Sequence, residues 1–167
     1  SGSNDWISLD DISSDLKNAV ISVEDKSFYH HLGFDIPRIG KALITNFLNN
    51  TRQGASTISQ QYIKNMFLTF DQTWSRKIEE AFLTIELEVH YSKDNILEGY
   101  LNTINYGEGN YGIEDASKYY FNKSSKDLDL AEASMLSGIP KAPSIYSPII
   151  NFENAKAVRA FYDEFAH

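Results

Sequence analysis

Three stretches of this chain repeat apolar residues at the three- and four-residue spacing of an amphipathic helix, and no convincing β-hairpin interrupts them. The stripes are Leu16, Ala19, Val20 and Val23; Ile36, Ile39, Leu43 and Phe47; and Ile78, Phe82, Ile85 and Val89. A mainly α fold follows. The first helix is expected from Ser13 or Ser14 to about Tyr29, and the second from about Asp35, with Pro37 in its first turn, to Asn49-Asn50. Thr57 and Gln60 fit a capping box, so a third helix begins there. A turn at Asp71 to Trp74 leads into a long helix over about Ser75 to Tyr91, and Ser92 then caps a helix reaching Asn102. Shorter helices are expected over 113–121 and 128–137, an irregular strap through Pro140, Pro143 and Pro148, and a last helix after Asn151. Each stripe is expected to face a core. A flap lying on a membrane surface is the alternative for the second helix.

The chain's 167 residues, 42% of them hydrophobic, suffice for one domain with a sizeable core. Ser1-Gly2-Ser3 reads as an expression scar, leaving 4–167 as a single domain. With no cysteine there is no disulfide scaffold and no thiolate chemistry. His30, His31, His90 and His167 do not make a metal-ligand pattern. A net charge of -8 argues against nucleic acid. That charge is uneven: Thr51 to Lys77 holds four cations (Arg52, Lys64, Arg76, Lys77) against one anion (Asp71), a net of +3, so the remainder nets -11. A cationic zone on an acidic chain suggests one place for an anionic ligand. No apolar run exceeds three residues, so nothing spans a membrane; any native anchor is expected to lie outside this sequence.

Chemistry concentrates in three stretches. Glu24 to Gly33 ends the first stripe with paired carboxylates, two aromatics and two histidines, so an acid sits late on a helix with a glycine turn after it. Gln53 to Gln61 has a Gly-Ala-Ser-Thr turn at a helix start, where free N–H groups make a natural anion site. Ser56, Gln60 and Lys64 share one face of that helix as a binding face. Arg76 and Lys77 lie four and three residues from Glu80 and set a carboxylate beside two cations. Tyr106 to Gly112 is a loop long enough to line a cleft. Ser14-Asp15-Leu16-Lys17 matches the acylating Ser-x-x-Lys motif, but no Lys-Thr-Gly follows, so it reads as cap chemistry.

In this order the residues resemble the peptidoglycan glycosyltransferase domain of class A penicillin-binding proteins and monofunctional transglycosylases. The resemblance covers about 16–148. Its blocks are Glu24-Asp25-x-x-Phe28-x-x-His31-x-Gly33, Gly54 to Gln61, Arg76-Lys77-x-x-Glu80, Lys93-x-x-Ile96-Leu97-Glu98-x-Tyr100-Leu101-Asn102, and the closing stretches Tyr111 to Phe121 and Ala142 to Pro148. Glu79 stands where a second lysine is common, and Gln72 where many members carry an arginine; Ala55 and Asn122 replace glycines.

The resemblance implies a lysozyme-like, two-lobed, inverting glycosyltransferase with an elongated cleft. It would polymerise lipid II into β-1,4-linked glycan and release polyprenyl diphosphate. Glu24 becomes the base that takes the acceptor's proton, and Glu80 the second essential glutamate. Asp25, Phe28, His31, Ser56, Thr57, Gln60, Gln61, Lys64, Arg76, Lys77 and Asn102 become substrate-binding residues. A divalent ion, Mg or Mn, is an expected cofactor, with Glu80 its candidate ligand. Expected partners are lipid II, the growing lipid-linked glycan, the membrane surface and other cell-wall synthesis proteins, at the outer face of the bacterial cytoplasmic membrane. A lysozyme-like glycan-cleaving enzyme and a degenerate lipid II-binding domain with little turnover are the alternatives.

Overall fold

The computed structural model describes residues 5–51, 53–67 and 73–141. Seven α-helices lie in this part: α1 Ser14–Glu24, α2 Ile36–Asn49, α3 Ile58–Phe67, α4 Trp74–His90, α5 Lys93–Thr103, α6 Ile113–Phe121 and α7 Leu130–Gly138. Short 3-10 turns occupy Leu9–Asp11, Ser125–Asp127 and Ile139–Lys141. The β structure among the described residues is one isolated bridge, Asn105 to Tyr111. The expected helix after Asn151, the strap beyond Lys141 and Gln72 lie outside the described residues.

The helix starts follow their caps. Asp35 accepts from the Arg38 N–H, with Pro37 in the first turn of α2. Thr57 and Gln60 form the reciprocal box at α3: Gln60 N–H reaches Thr57 Oγ1 at 3.2 Å, and Thr57 N–H reaches Gln60 Oε1 at 3.0 Å. Ser92 caps α5 through the Asn95 N–H. A second box, Asp129 with Glu132, starts α7. The first helix is shorter than its stripe suggests. It ends at Glu24, and Asp25 leaves helical geometry at φ -163°, ψ 79°. The cause is tertiary, since the Asp25 side chain is held by another helix. Ser13 makes no side-chain cap and donates instead to the Leu128 carbonyl.

The core forms around α5. Ile96, Leu97, Tyr100 and Leu101 are buried there, with Leu16 and Val20 of α1, Ile58 of α3, Ile113 of α6 and Leu136 of α7 in the same cluster. α1 packs on α7, and α3 packs on both α5 and α4. The α3–α5 approach depends on Gly99: a Cβ there would lie 2.5 Å from the Tyr62 hydroxyl. The N-terminal segment is tied to α5 by Asn102, which accepts from the Ile7 N–H and donates to the Ile7 carbonyl.

Two expected core stripes point outward. On α4, Ile78, Phe82, Ile85 and Val89 are all exposed, Phe82 at 62%. On α2, Ile36, Leu43 and Phe47 are exposed, Phe47 at 87%; Ile39 is half-buried and Ala42 is the buried residue of that helix. Periodicity fixes that a helix has two faces, not which one meets the core. The face of α4 that packs inward joins Leu87, set against the core, to polar groups that satisfy one another. Thr84 is buried with its hydroxyl on the Glu80 carbonyl, and Glu88 accepts from Ser59 and Lys93 at 2.6 Å each.

Glu114, in the first turn of α6, holds the Ser124–Ser125 turn through Ser125 N–H, Ser125 Oγ and Ser124 Oγ. Burial alone would raise its carboxyl, but these donors and nearby Lys118 outweigh burial and leave it below the ordinary 4.5. A lowered folded value stabilises the fold above the unfolded value, and that stabilisation is lost as pH falls through the folded one. Glu114→Gln is expected to cost about 1–2 kcal/mol at pH 7. In urea melts across pH, its gap to wild type should close as pH drops below about 4.

Candidate active site

Glu24 is the last residue of α1 and is 1% exposed. A carboxylate there meets burial, the carbonyl end of its own helix and a second acid next in sequence, all of which oppose charge. Gln61 works against these: its Nε2 donates to Glu24 Oε2 at 3.1 Å. Tyr100 of α5, fully buried, donates its hydroxyl to Gln61 Oε1 at 3.1 Å. The Glu24 charge in turn reaches both Tyr100 and Tyr106, whose phenols are raised first by burial and then by that carboxylate. Arg38 of α2 donates from Nη1 to the Glu24 carbonyl at 2.8 Å.

Asp25 turns the other way. Its Oδ2 accepts from the Ile58 N–H at 3.1 Å and from His31 Nε2 at 2.7 Å. The Gly33 N–H donates to His31 Nδ1, so the ring presents its proton at Nε2 toward Asp25. Gly33 adopts φ +100° in this turn, and its carbonyl accepts from Thr57 Oγ1 at 2.6 Å. The expected anion site at the start of α3 is therefore already occupied by the protein's own carboxylate. The N–H groups of Thr57, Ile58 and Gln60 are all engaged by side chains. Gln60 is thus part of the cap, Ser56 is half-buried, and Thr57 is a buried strut.

Lys64 lies one turn beyond Gln61 on α3, with Nζ 4.0 Å from Glu80 Oε2. Glu80 is mostly buried while Lys64 is half-exposed. Arg76 pairs with Glu79 at 3.1 Å, and Lys77 sits over the Trp74 ring at 5.3 Å. Gln61 and Lys64, one turn apart on α3, thus connect Glu24 of α1 to Glu80 of α4.

Two residues that the resemblance marks for binding are placed elsewhere. Phe28 is a core residue, fully buried, with Lys93 over its ring at 4.9 Å. Asn102 spends its amide on Ile7 and the Glu98 carbonyl. Arg38, Ser59, Glu88 and Tyr100 were not marked from sequence. Tyr100, Ser59 and Lys93 lie inside the family-like blocks, whereas nothing in the sequence signals Arg38 or Glu88.

The transglycosylase family model matches residues 1–163. The chain belongs to the transglycosylase family. Among curated relatives it is 53% identical to penicillin-binding protein 2D of Bacillus subtilis (strain 168) over 152 residues, 90% of this chain and 22% of that protein. It is 47% identical to penicillin-binding protein 1F of the same organism, over 92% of this chain and 22% of that one. It is also 47% identical to penicillin-binding protein 1A of Neisseria lactamica, over 91% of this chain and 19% of that one. The chain thus spans about a fifth of the length of these relatives. By family this transglycosylase domain has peptidoglycan glycosyltransferase activity.

The Arg76–Glu79 pair has a consequence for this activity. Glu79 pairs with a cation of the stretch expected to meet an anionic ligand, and a pair of this kind at the surface is worth only a few tenths of a kcal/mol to the fold. Glu79→Gln should leave thermal stability unchanged and lower KM for a diphosphate-linked substrate about two- to fivefold, the gain shrinking as salt rises. Steady-state kinetics at two ionic strengths check this.

Proposed function

We propose that this domain polymerises lipid II, using Glu24 as the base. The observation that carries this reading is the line along α3, a buried carboxylate held by Gln61 with Lys64 and Glu80 one turn further on. In this reading Glu24 takes the proton of the N-acetylglucosamine 4-hydroxyl of lipid II as that oxygen attacks the anomeric carbon of the lipid-linked glycan donor. The new C–O bond forms as the bond to the diphosphate breaks. The electron pair leaves with polyprenyl diphosphate, and the anomeric centre inverts from α to β-1,4. A diphosphate needs charge stabilisation more than protonation, and Lys64, Arg76 and Lys77 are the side chains to supply it. Glu80 positions Lys64. Asp25, His31 and Thr57 act on the base indirectly, by fixing its turn against α3.

A divalent ion belongs to this reading only as a counter-ion of the diphosphate. Among the described residues no group of three or more histidines, cysteines or acids is placed to hold a metal, and Glu80 faces an ammonium. Every role in this reading is accordingly carried by side chains and not by a bound metal.

The substrates are lipid-anchored, which gives a reason for the outward apolar faces of α2 and α4. Among the described residues no helix is long and apolar enough to cross a membrane. In our reading these faces rest on the outer surface of the cytoplasmic membrane, on one side of an elongated cleft between two lobes. The longer protein's activity and its cell-wall synthesis partners belong to the same proposal.

Purified lipid II should be converted to polymer by the wild type, and Glu24→Gln should lower the rate at least ~100-fold with the fold intact. Release of soluble muropeptides from cell walls without polymer would overturn synthesis in favour of cleavage. A fluorophore at position 47 should be shielded from an aqueous quencher by anionic vesicles; full quenching in their presence would refute the membrane contact.

A further inference from the structure

We propose that Tyr100 is a positioning residue for the base, acting through the amide of Gln61. The proposal rests on the reading of Glu24 as the base.

Gln61 sits between two groups of opposite demand. An ionised carboxylate only accepts hydrogen bonds, whereas a protonated phenol offers one donor. The Tyr100 hydroxyl donates to Gln61 Oε1, and Gln61 Nε2 faces Glu24 Oε2, each at 3.1 Å. A glutamine amide has two faces of similar shape and opposite polarity. With the phenol donating to the oxygen, the nitrogen must point at Glu24. In the reversed orientation Gln61 would aim a carbonyl oxygen at the carboxylate and its NH2 at a hydroxyl with a proton to place. Tyr100 therefore selects, with the Ser56 carbonyl that Gln61 Nε2 also meets at 3.5 Å as the weaker second contact, the orientation that favours the charged, proton-accepting form of Glu24.

The surroundings support this assignment. Tyr100 is fully buried and its phenol is held well above the ordinary range, first by burial and then by Glu24, so it stays a donor. Gly99, next in sequence, lets α5 approach α3 closely. Among the described residues, titratable or charged groups facing this spot include Asp25 beside Glu24, engaged by His31 and Ile58; Arg38 of α2 on the Glu24 carbonyl; and Tyr106 after α5. Tyr106 is also buried and its phenol is also raised, first by burial and then by Glu24, but its hydroxyl has no hydrogen-bond partner among the described residues. It does not reach Gln61 and serves as the internal control.

The test is polymerisation of lipid II by Tyr100→Phe, Gln61→Ala, the double variant and Tyr106→Phe, each checked by thermal melting. Tyr100→Phe retains the buried ring. Its kcat should fall about tenfold with KM within twofold, and the acid limb of its kcat–pH profile should move up by about half a unit to one unit. In the Gln61→Ala background the same change should have no further effect on kcat or on the limb. Tyr106→Phe should leave the limb in place. Additive losses in the double variant, an unmoved limb in Tyr100→Phe, or an equal shift in Tyr106→Phe would each overturn the proposal. Absence of polymer from the wild type would instead overturn the reading of the reaction, so the two failures are distinguishable.

Discussion

The acceptance of the Ile58 N–H by Asp25 is the bond on which the rest of the site depends. It joins the turn after α1 to the first residue of α3, and it does so with a charge at the positive end of a helix. His31 completes that carboxylate's shell, Gly33 fixes the ring, and Thr57 closes the circuit on the Gly33 carbonyl. Without it, nothing in the local sequence would stop α1 at Glu24. With it, Glu24 is left at the very end of a helix, its side chain directed to Gln61 rather than to a turn of its own.

Much of this fold was legible because caps and spacing are local. Asp35, Thr57 with Gln60, and Ser92 each cap the helix they announce, and Glu24 does lie late on a helix. The readings that failed needed information from another element. The stripes of α2 and α4 are real but face outward, since the inner face of α4 is satisfied by Ser59 and Lys93, residues distant in sequence. The start of α3 has the composition of an anion site, but the anion is Asp25, thirty-three residues away. Tyr100 was invisible as a site residue because a buried tyrosine at helical spacing reads as core until its hydroxyl has a direction.

The two halves of the site are therefore built differently. Glu24 is itself buried and is held from two other helices, by Gln61 of α3 and Arg38 of α2. The cations stand on exposed or half-exposed side chains of α3 and α4, where Lys64, Arg76 and Lys77 pair with Glu80, Glu79 and Trp74. Charge on that side is a matter of long side chains in water, not of backbone geometry.

That α3 spends its N-terminal donors on Asp25 and on its own Thr57–Gln60 cap has an implication for how such a domain can change. A phosphate cradle of backbone N–H groups could be altered only by altering the chain path. In the proposed reaction anion affinity is carried by side chains whose exchange leaves the α1–α3 junction untouched. Substitutions such as Glu79 can retune how firmly a charged leaving group is held while the proton-accepting side keeps its geometry. On the proposed reading, strength of grip and integrity of the base are separable traits in this chain.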